Sequence, residues 1–270
     1  MILMNFDKII NCREMLSDDV LRLKETAFII CNNPKLKEIN KYDTLEFMKL
    51  LQFELYKLYD HHIQMLLDPN PNHTEYILTK RKMYILEEII ISLSEIQISA
   101  ITSSDIIEYI ELLSTDDFQQ LIDSITMIYN ECPNLDIIAK IMKESLTKYK
   151  VFKGNNRLSI LHNQLIYKFP LRPRGIYNNF VEMALTEKNI SDKLHPIKLY
   201  CMIRNIPIVS STLVNVYDVI DERDIFYFKG LIHQDISKYN IKIQDFYINN
   251  IAIRDGKIIL IDYGDIKKIF

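Results

Sequence analysis

Lysine, glutamate, aspartate, asparagine and a second aspartate, met in that order, carry the chemistry this sequence offers. Lys168 closes the apolar run Leu165-Ile166-Tyr167-Lys168, and Glu182 follows fourteen residues later, the reach of a strand, a loop and one helical turn. Asp245 is followed five residues on by Asn250, then by the apolar run Ile251-Ala252-Ile253, and Asp262-Tyr263-Gly264 comes twelve residues after Asn250. Phosphoryl-transfer sites are assembled from such parts. A strand lysine reaches phosphates, a helix carboxylate fixes its ammonium, a catalytic-loop Asp and Asn precede a hairpin, and an Asp after the hairpin holds a metal ion. A glycine-bearing turn over the phosphates completes the set, and Gly154-Asn155-Asn156-Arg157 supplies one glycine between two strand-like runs. Each piece is common alone; their order is the specific signal. His233-Gln234-Asp235 with Asn240 offers a competing register that has the histidine Asp245 lacks. From Asn240 to Asp262 is twenty-two residues, too long for one tight hairpin. Asp245 is therefore preferred as the catalytic residue, with Asp235 as the alternative.

These residues need elements to hold them. Asp255-Gly256 between Ile251–Ile253 and Lys257–Ile261 predicts a β-hairpin, because an Asp-Gly pair between β-branched runs suits a two-residue turn. Strands are also expected at 149–152, 157–160, 164–169, 206–209 and 213–217, and a helix around Glu182. Only five glycines occur, and none precedes Gly154. A long stretch without them fits helices joined by short polar loops. Ser17-Asp18-Asp19 predicts a helix to Ile30, and Leu45, Met48, Leu51, Leu55 and Leu58 mark another. Asp68–Asn72 breaks the chain before a helix with Tyr76, Met83, Leu86, Ile90 and Leu93 inward. Ser103-Ser104-Asp105, Ser114-Thr115-Asp116 and Cys132-Pro133-Asn134 start three more. The apolar stripes read as core. The pair His61-His62 points two ways, cannot share a metal, and is read as surface or interface. The expected fold is α+β, with a helical domain at 1–148 and a β-rich domain at 149–270.

Composition narrows the function classes. The chain has 270 residues, 48% hydrophobic and 26% charged, with a net charge of -3. That balance lacks the basic excess of a nucleic-acid or acidic-membrane binder. Lys80-Arg81-Lys82 reads as a solvated face. The four cysteines are scattered, with no zinc-like pairing, as in a reducing compartment. No apolar run is long enough to span a membrane, and the N-terminus lacks the features of a signal peptide. The expected location is cytoplasmic. The richness in Ile, Lys, Asn and Tyr suits an AT-rich genome, viral or low-GC bacterial, which would make that the host cytoplasm.

In order, the stretch from Tyr149 to Asp265 resembles the protein-kinase-like superfamily, and is most similar to its small phage and bacterial members. The residues that carry the resemblance are Gly154…Arg157, Ile166-Tyr167-Lys168-Phe169-Pro170, Gly175…Asn178…Glu182 and Asp255-Gly256-Lys257-Ile258…Asp262-Tyr263-Gly264. The resemblance implies ATP as ligand, Lys168 on its phosphates, Glu182 holding Lys168, Asn250 and Asp262 on Mg²⁺, and Asp245 as base. It also marks departures. Ile243 stands where a catalytic-loop His is usual, the glycine loop is poor, and six residues follow Gly264, which leaves out an activation segment and a helical lobe. The expectation is a pseudokinase-like protein that binds a protein partner through its N-terminal helices, with or without Mg-nucleotide. The alternatives are an active ATP-dependent phosphotransferase using Lys168, Asp245 and Asp262, and a helical interaction module without nucleotide.

Overall fold

The computed structural model describes residues 41–98, 103–132, 134–216, 222–244 and 246–270. The helix expected from Ser17 to Ile30, and Asp245 itself, lie outside the described residues. The chain divides into two compact units, the first holding Thr74–Leu146 and the described residues up to His61, the second His62–His73 and Thr147–Phe270.

Helices α1 (Lys41–Leu67), α2 (His73–Ile98), α3 (Ser103–Leu113), α4 (Phe118–Glu131) and α5 (Leu135–Ser145) come first. The proline-asparagine stretch ends α1, and the Asp68 carboxylate accepts from Asn70 N–H at 2.9 Å in the turn. The start of α4 is capped one residue later than expected: Asp117 Oδ1 accepts from Gln120 N–H at 3.0 Å, while Thr115 supports the turn before it. Asn134 caps α5 by accepting from the N–H groups of Asp136 and Ile137. Each cap takes up N–H groups that have no partner within the helix. Helix α3 packs on α4 and α5. Leu121, Ile125, Ile128, Ile138, Ile141 and Met142 are buried at helical spacing.

The second unit is built on a five-stranded antiparallel sheet of β1 (Lys150–Lys153), β2 (Arg157–His162), β3 (Leu165–Pro170), β4 (Lys198–Ile203) and β5 (Ile206–Thr212), in the order β1-β2-β3-β5-β4. Helix α6 (Pro173–Glu187) links β3 to β4 and packs on β3 and β5. After β6 (Asn215–Val216) comes α7 (Glu222–Ile236), which buries Phe228, Ile232 and Ile236, one per turn. Three short pieces follow: β7 (Ile241–Ile243), the hairpin β8 (Ile251–Arg254) with β9 (Lys257–Leu260), and β10 (Ile266–Lys268). Strand β10 pairs with β7, and β6 adds to the hairpin. Asp255 and Gly256 both take positive φ, 51° and 72°, as the two-residue turn requires. Residues Ile248–Asn250 form a 3₁₀ turn just before β8. The architecture is α+β. No helix among the described residues is long and apolar enough to cross a membrane.

Candidate functional site

Strand register places Lys168 on β3 opposite Ser159 of β2 and Val209 of β5. Its ammonium donates to Glu182 Oε2 at 2.9 Å and to the Ile261 carbonyl at 3.1 Å. Glu182, on α6, is fully buried. It accepts a second charged bond from Arg157 Nη2 at 2.9 Å and one from the Tyr263 N–H at 3.3 Å. Arg157 opens β2. Its Nη1 donates to Asn179 Oδ1 at 3.0 Å, and its Nη2 also donates to Asp262 Oδ1. Asn179 in turn donates to the carbonyls of Lys168 and Pro207, which ties α6 to β3 and β5. Two cations and two carboxylates thus form one cluster drawn from β2, β3, α6 and the segment after β9.

Two glycines permit it. A Cβ on Gly175 would overlap the Asn156 carbonyl, and one on Gly264 would sit 2.6 Å from Asn178 Cβ. The first lets the β1–β2 turn lie on α6; the second lets the chain after Asp262 lie against the same helix. The Tyr263 ring is buried, its hydroxyl donating to the His195 carbonyl at 2.7 Å.

Burial alone would push the Glu182 carboxyl up, but the charges of Arg157 and Lys168 hold it down to about 2. For Arg157 burial acts against the charge, and Glu182 and Asp262 overcome it, so its pKa rises and the guanidinium stays charged. Such pairs persist in a low-dielectric interior only when further hydrogen bonds support them, and here Asn179, the Ile261 carbonyl and the Tyr263 N–H do so.

Beside the cluster lies a cavity of about 600 Å³, within the range that holds small ligands. Lys168, Asn250 and Asp262 line it together with Ser159, and Phe152, Ile166, Leu213 and Val214 give it an apolar side. The Asp262 side chain is 47% exposed, so it is open to a ligand. Of the residues picked from the sequence, Lys168, Glu182, Asn250 and Asp262 therefore come together. Gly154 is not at the cavity: its N–H closes a tight turn on the Arg157 carbonyl at 2.9 Å. Asp235 is not there either. It lies on α7 and accepts from Ser191 Oγ at 2.6 Å and Lys193 Nζ at 2.8 Å, because the stretch read as a second catalytic loop is helical. Its companion Asn240 takes a left-handed φ of 52° and donates to the Pro69 carbonyl at 3.3 Å. Asp245 is outside the described residues; next to it, Gln244 N–H donates to the Asp265 carbonyl at 2.8 Å.

Three residues went unassigned in the sequence. Arg157 stands in the sequence only as part of a loose motif, and Asn179 closes the run Gly175–Asn179 with no role attached. His195 also lines the cavity. Its Nε2 donates to the Thr212 carbonyl at 2.9 Å, its Nδ1 has no hydrogen-bond partner among the described residues, and burial lowers its pKa, which favours the neutral ring. A lone histidine between Leu194 and Pro196 carries no spacing signal. His62, expected at a surface or an interface, is buried and shares a 3.0 Å hydrogen bond with the Tyr177 hydroxyl.

A divalent cation needs carboxylate oxygens free to bind it. Asp262 Oδ1 is taken by Arg157, and no group of three His, Cys, Asp or Glu that could hold a metal occurs among the described residues. Asn250 and Asp262, expected on Mg²⁺, both line the cavity, with one Asp262 oxygen already engaged by Arg157. Comparison with family models, with curated proteins and with solved structures found no match for this chain.

Proposed function

We propose that the second unit is a protein-kinase-like nucleotide-binding module that takes ATP or ADP in the Lys168 cavity and works by binding rather than by phosphoryl transfer. The observation that carries this reading is the Lys168–Glu182 ion pair, 2.9 Å long, at a cavity that Asp262 and Asn250 also line. An ammonium fixed by a buried carboxylate, next to a partly apolar pocket, suits a phosphorylated ligand with a flat base. The arrangement of strand lysine, helix glutamate and post-hairpin aspartate supports the resemblance seen in the sequence. Binding without transfer is favoured because Arg157 engages the carboxylate that would otherwise organise a metal. On this reading a protein partner is met through the helical unit, where Tyr84 and Ile107 are exposed.

Thermal unfolding with and without ATP tests it. Ligand at about 100 times its Kd adds roughly 2.7 kcal/mol, or about 5–10 °C. The wild type should show that shift and Lys168→Met should lose it. No shift in the wild type overturns the reading, and an equal shift in both moves the ligand elsewhere. Transfer of labelled γ-phosphate by the wild type would favour the active phosphotransferase, with Asp245 as base.

A further inference from the structure

The cluster at the cavity is electrically complete without a metal. Arg157 and Lys168 bring two positive charges, and Glu182 and Asp262 two negative ones, all linked by direct donation. Where a carboxylate faces a polyphosphate, the two repel, and a divalent cation ordinarily bridges them. Here the Asp262 charge is met from within the protein.

Arg157 is well placed to stay there. It is 7% exposed, and Gly175 packs against its stem, leaving no room for a Cβ at ordinary distance from Arg157 Cγ. Its Nη1 is held by Asn179, which is itself anchored to the Lys168 and Pro207 carbonyls. The β1–β2 turn that precedes it is pinned by Leu171 N–H on the Asn156 carbonyl at 2.8 Å. Releasing Asp262 would mean dismantling that set of contacts. Lys168 and Asp262 line the cavity while Arg157 does not, so the arginine acts on a ligand through Asp262.

We propose that Arg157 takes the place of a divalent cation at Asp262, so that this site binds a nucleoside polyphosphate without metal. The inference rests on the nucleotide-binding reading above and adds to it the ionic form of the ligand. Arg157 is a positioning residue in this account.

Calorimetric titration of the full chain with ADP, in EDTA and in excess magnesium chloride, tests it. Wild-type affinity should agree between the two to within about threefold. Arg157→Met should lose about tenfold or more in EDTA and regain affinity with magnesium, because Asp262 then repels phosphate and is open to a cation. Arg157→Lys, which keeps the charge, should bind in EDTA. The double variant Arg157→Met with Asp262→Asn should also recover binding in EDTA, since the charge that needed cancelling is gone. Wild-type binding that falls more than about tenfold in EDTA overturns the proposal while leaving the nucleotide reading intact. It is equally overturned if Arg157→Met binds ADP in EDTA as the wild type does. Absence of ADP binding in both media sinks both readings. Should Arg157→Met fail to fold, the two wild-type titrations decide alone.

Discussion

Glu182 is the residue on which the cluster depends, since it accepts from both buried cations. Its folded pKa of about 2 lies below its ordinary value of 4.5. A carboxyl held down in this way contributes stability that is fully present above about 4.5 and is lost as pH falls toward 2. Glu182→Gln should therefore cost about 3–5 kcal/mol at neutral pH, the cost of leaving buried charges short of a partner. It should also flatten the fall in stability across that acid window, as measured by urea unfolding at a series of pH values. A variant as stable as the wild type at pH 7, or with the same acid slope, would remove Glu182 from this role. Lys168, Glu182, Asn250 and Asp262 were legible because their separations match the lengths of the elements between them. Arg157 and Asn179 were not, because Arg157 meets Glu182 and Asp262, and Asn179 meets Arg157, through folding, and no separation along the chain encodes that reach. The burial of His62 was hidden for a related reason: its partner Tyr177 is more than a hundred residues away.

Elements hold these side chains at fixed distances, and one close approach is between α6 and the chain after β9. A Cβ at Gly264 would lie 2.6 Å from Asn178 Cβ and 2.9 Å from that residue's Cα and carbonyl oxygen. Helix backbone cannot yield, so Gly264→Ala must push the segment away and draw Asp262 from Arg157. The expected cost is about 1–3 kcal/mol, as for other overpacked sites, together with loss of ADP binding. Gly256→Ala is the comparison. Nothing lies within 4 Å of its Cβ, though φ is +72°. It should cost about 1 kcal/mol from backbone strain and keep ADP binding. Equal binding by both variants would show that the approach of Gly264 to α6 does not position the site. The hairpin at Asp255-Gly256 was readable because its turn uses the residues that tolerate positive φ best. Asn163-Gln164 and Arg204-Asn205 take the same conformation without glycine, so the β2–β3 and β4–β5 turns left little trace in the sequence. Strand β4 was missed as an edge strand with Leu199 and Met202 exposed. The pairing of β7 with β10 was missed because each is three residues long and the partners lie far apart.

At the scale of the whole molecule, glycine content suggested a division after residue 148. The described structure adds His62–His73 to the second unit, a segment far from it in sequence. The contacts that secure it converge on Lys268, which is 3% exposed and donates to the carbonyls of Leu66, Asp68 and Tyr239. Burial lowers the pKa of this ammonium, so the carbonyls must repay its desolvation. His73 adds an edge-on contact with the Phe270 ring, centroids 4.3 Å apart. Composition cannot reveal such an arrangement, because the segment lies inside the glycine-free half and its bonds are made by backbone carbonyls. A sign reversal follows. In the full chain, Lys268→Met removes three charge-assisted bonds and should destabilise by about 2–3 kcal/mol. In a fragment of residues 149–270, only the Tyr239 carbonyl remains to a cation drawn out of water, so the same change should be neutral or stabilising. Urea unfolding of the four proteins measures both effects. An equal loss in the two backgrounds would mean that residues 62–73 contribute nothing to holding Lys268. A fragment that does not fold until a peptide of residues 62–73 is added would make the same point as the reversal.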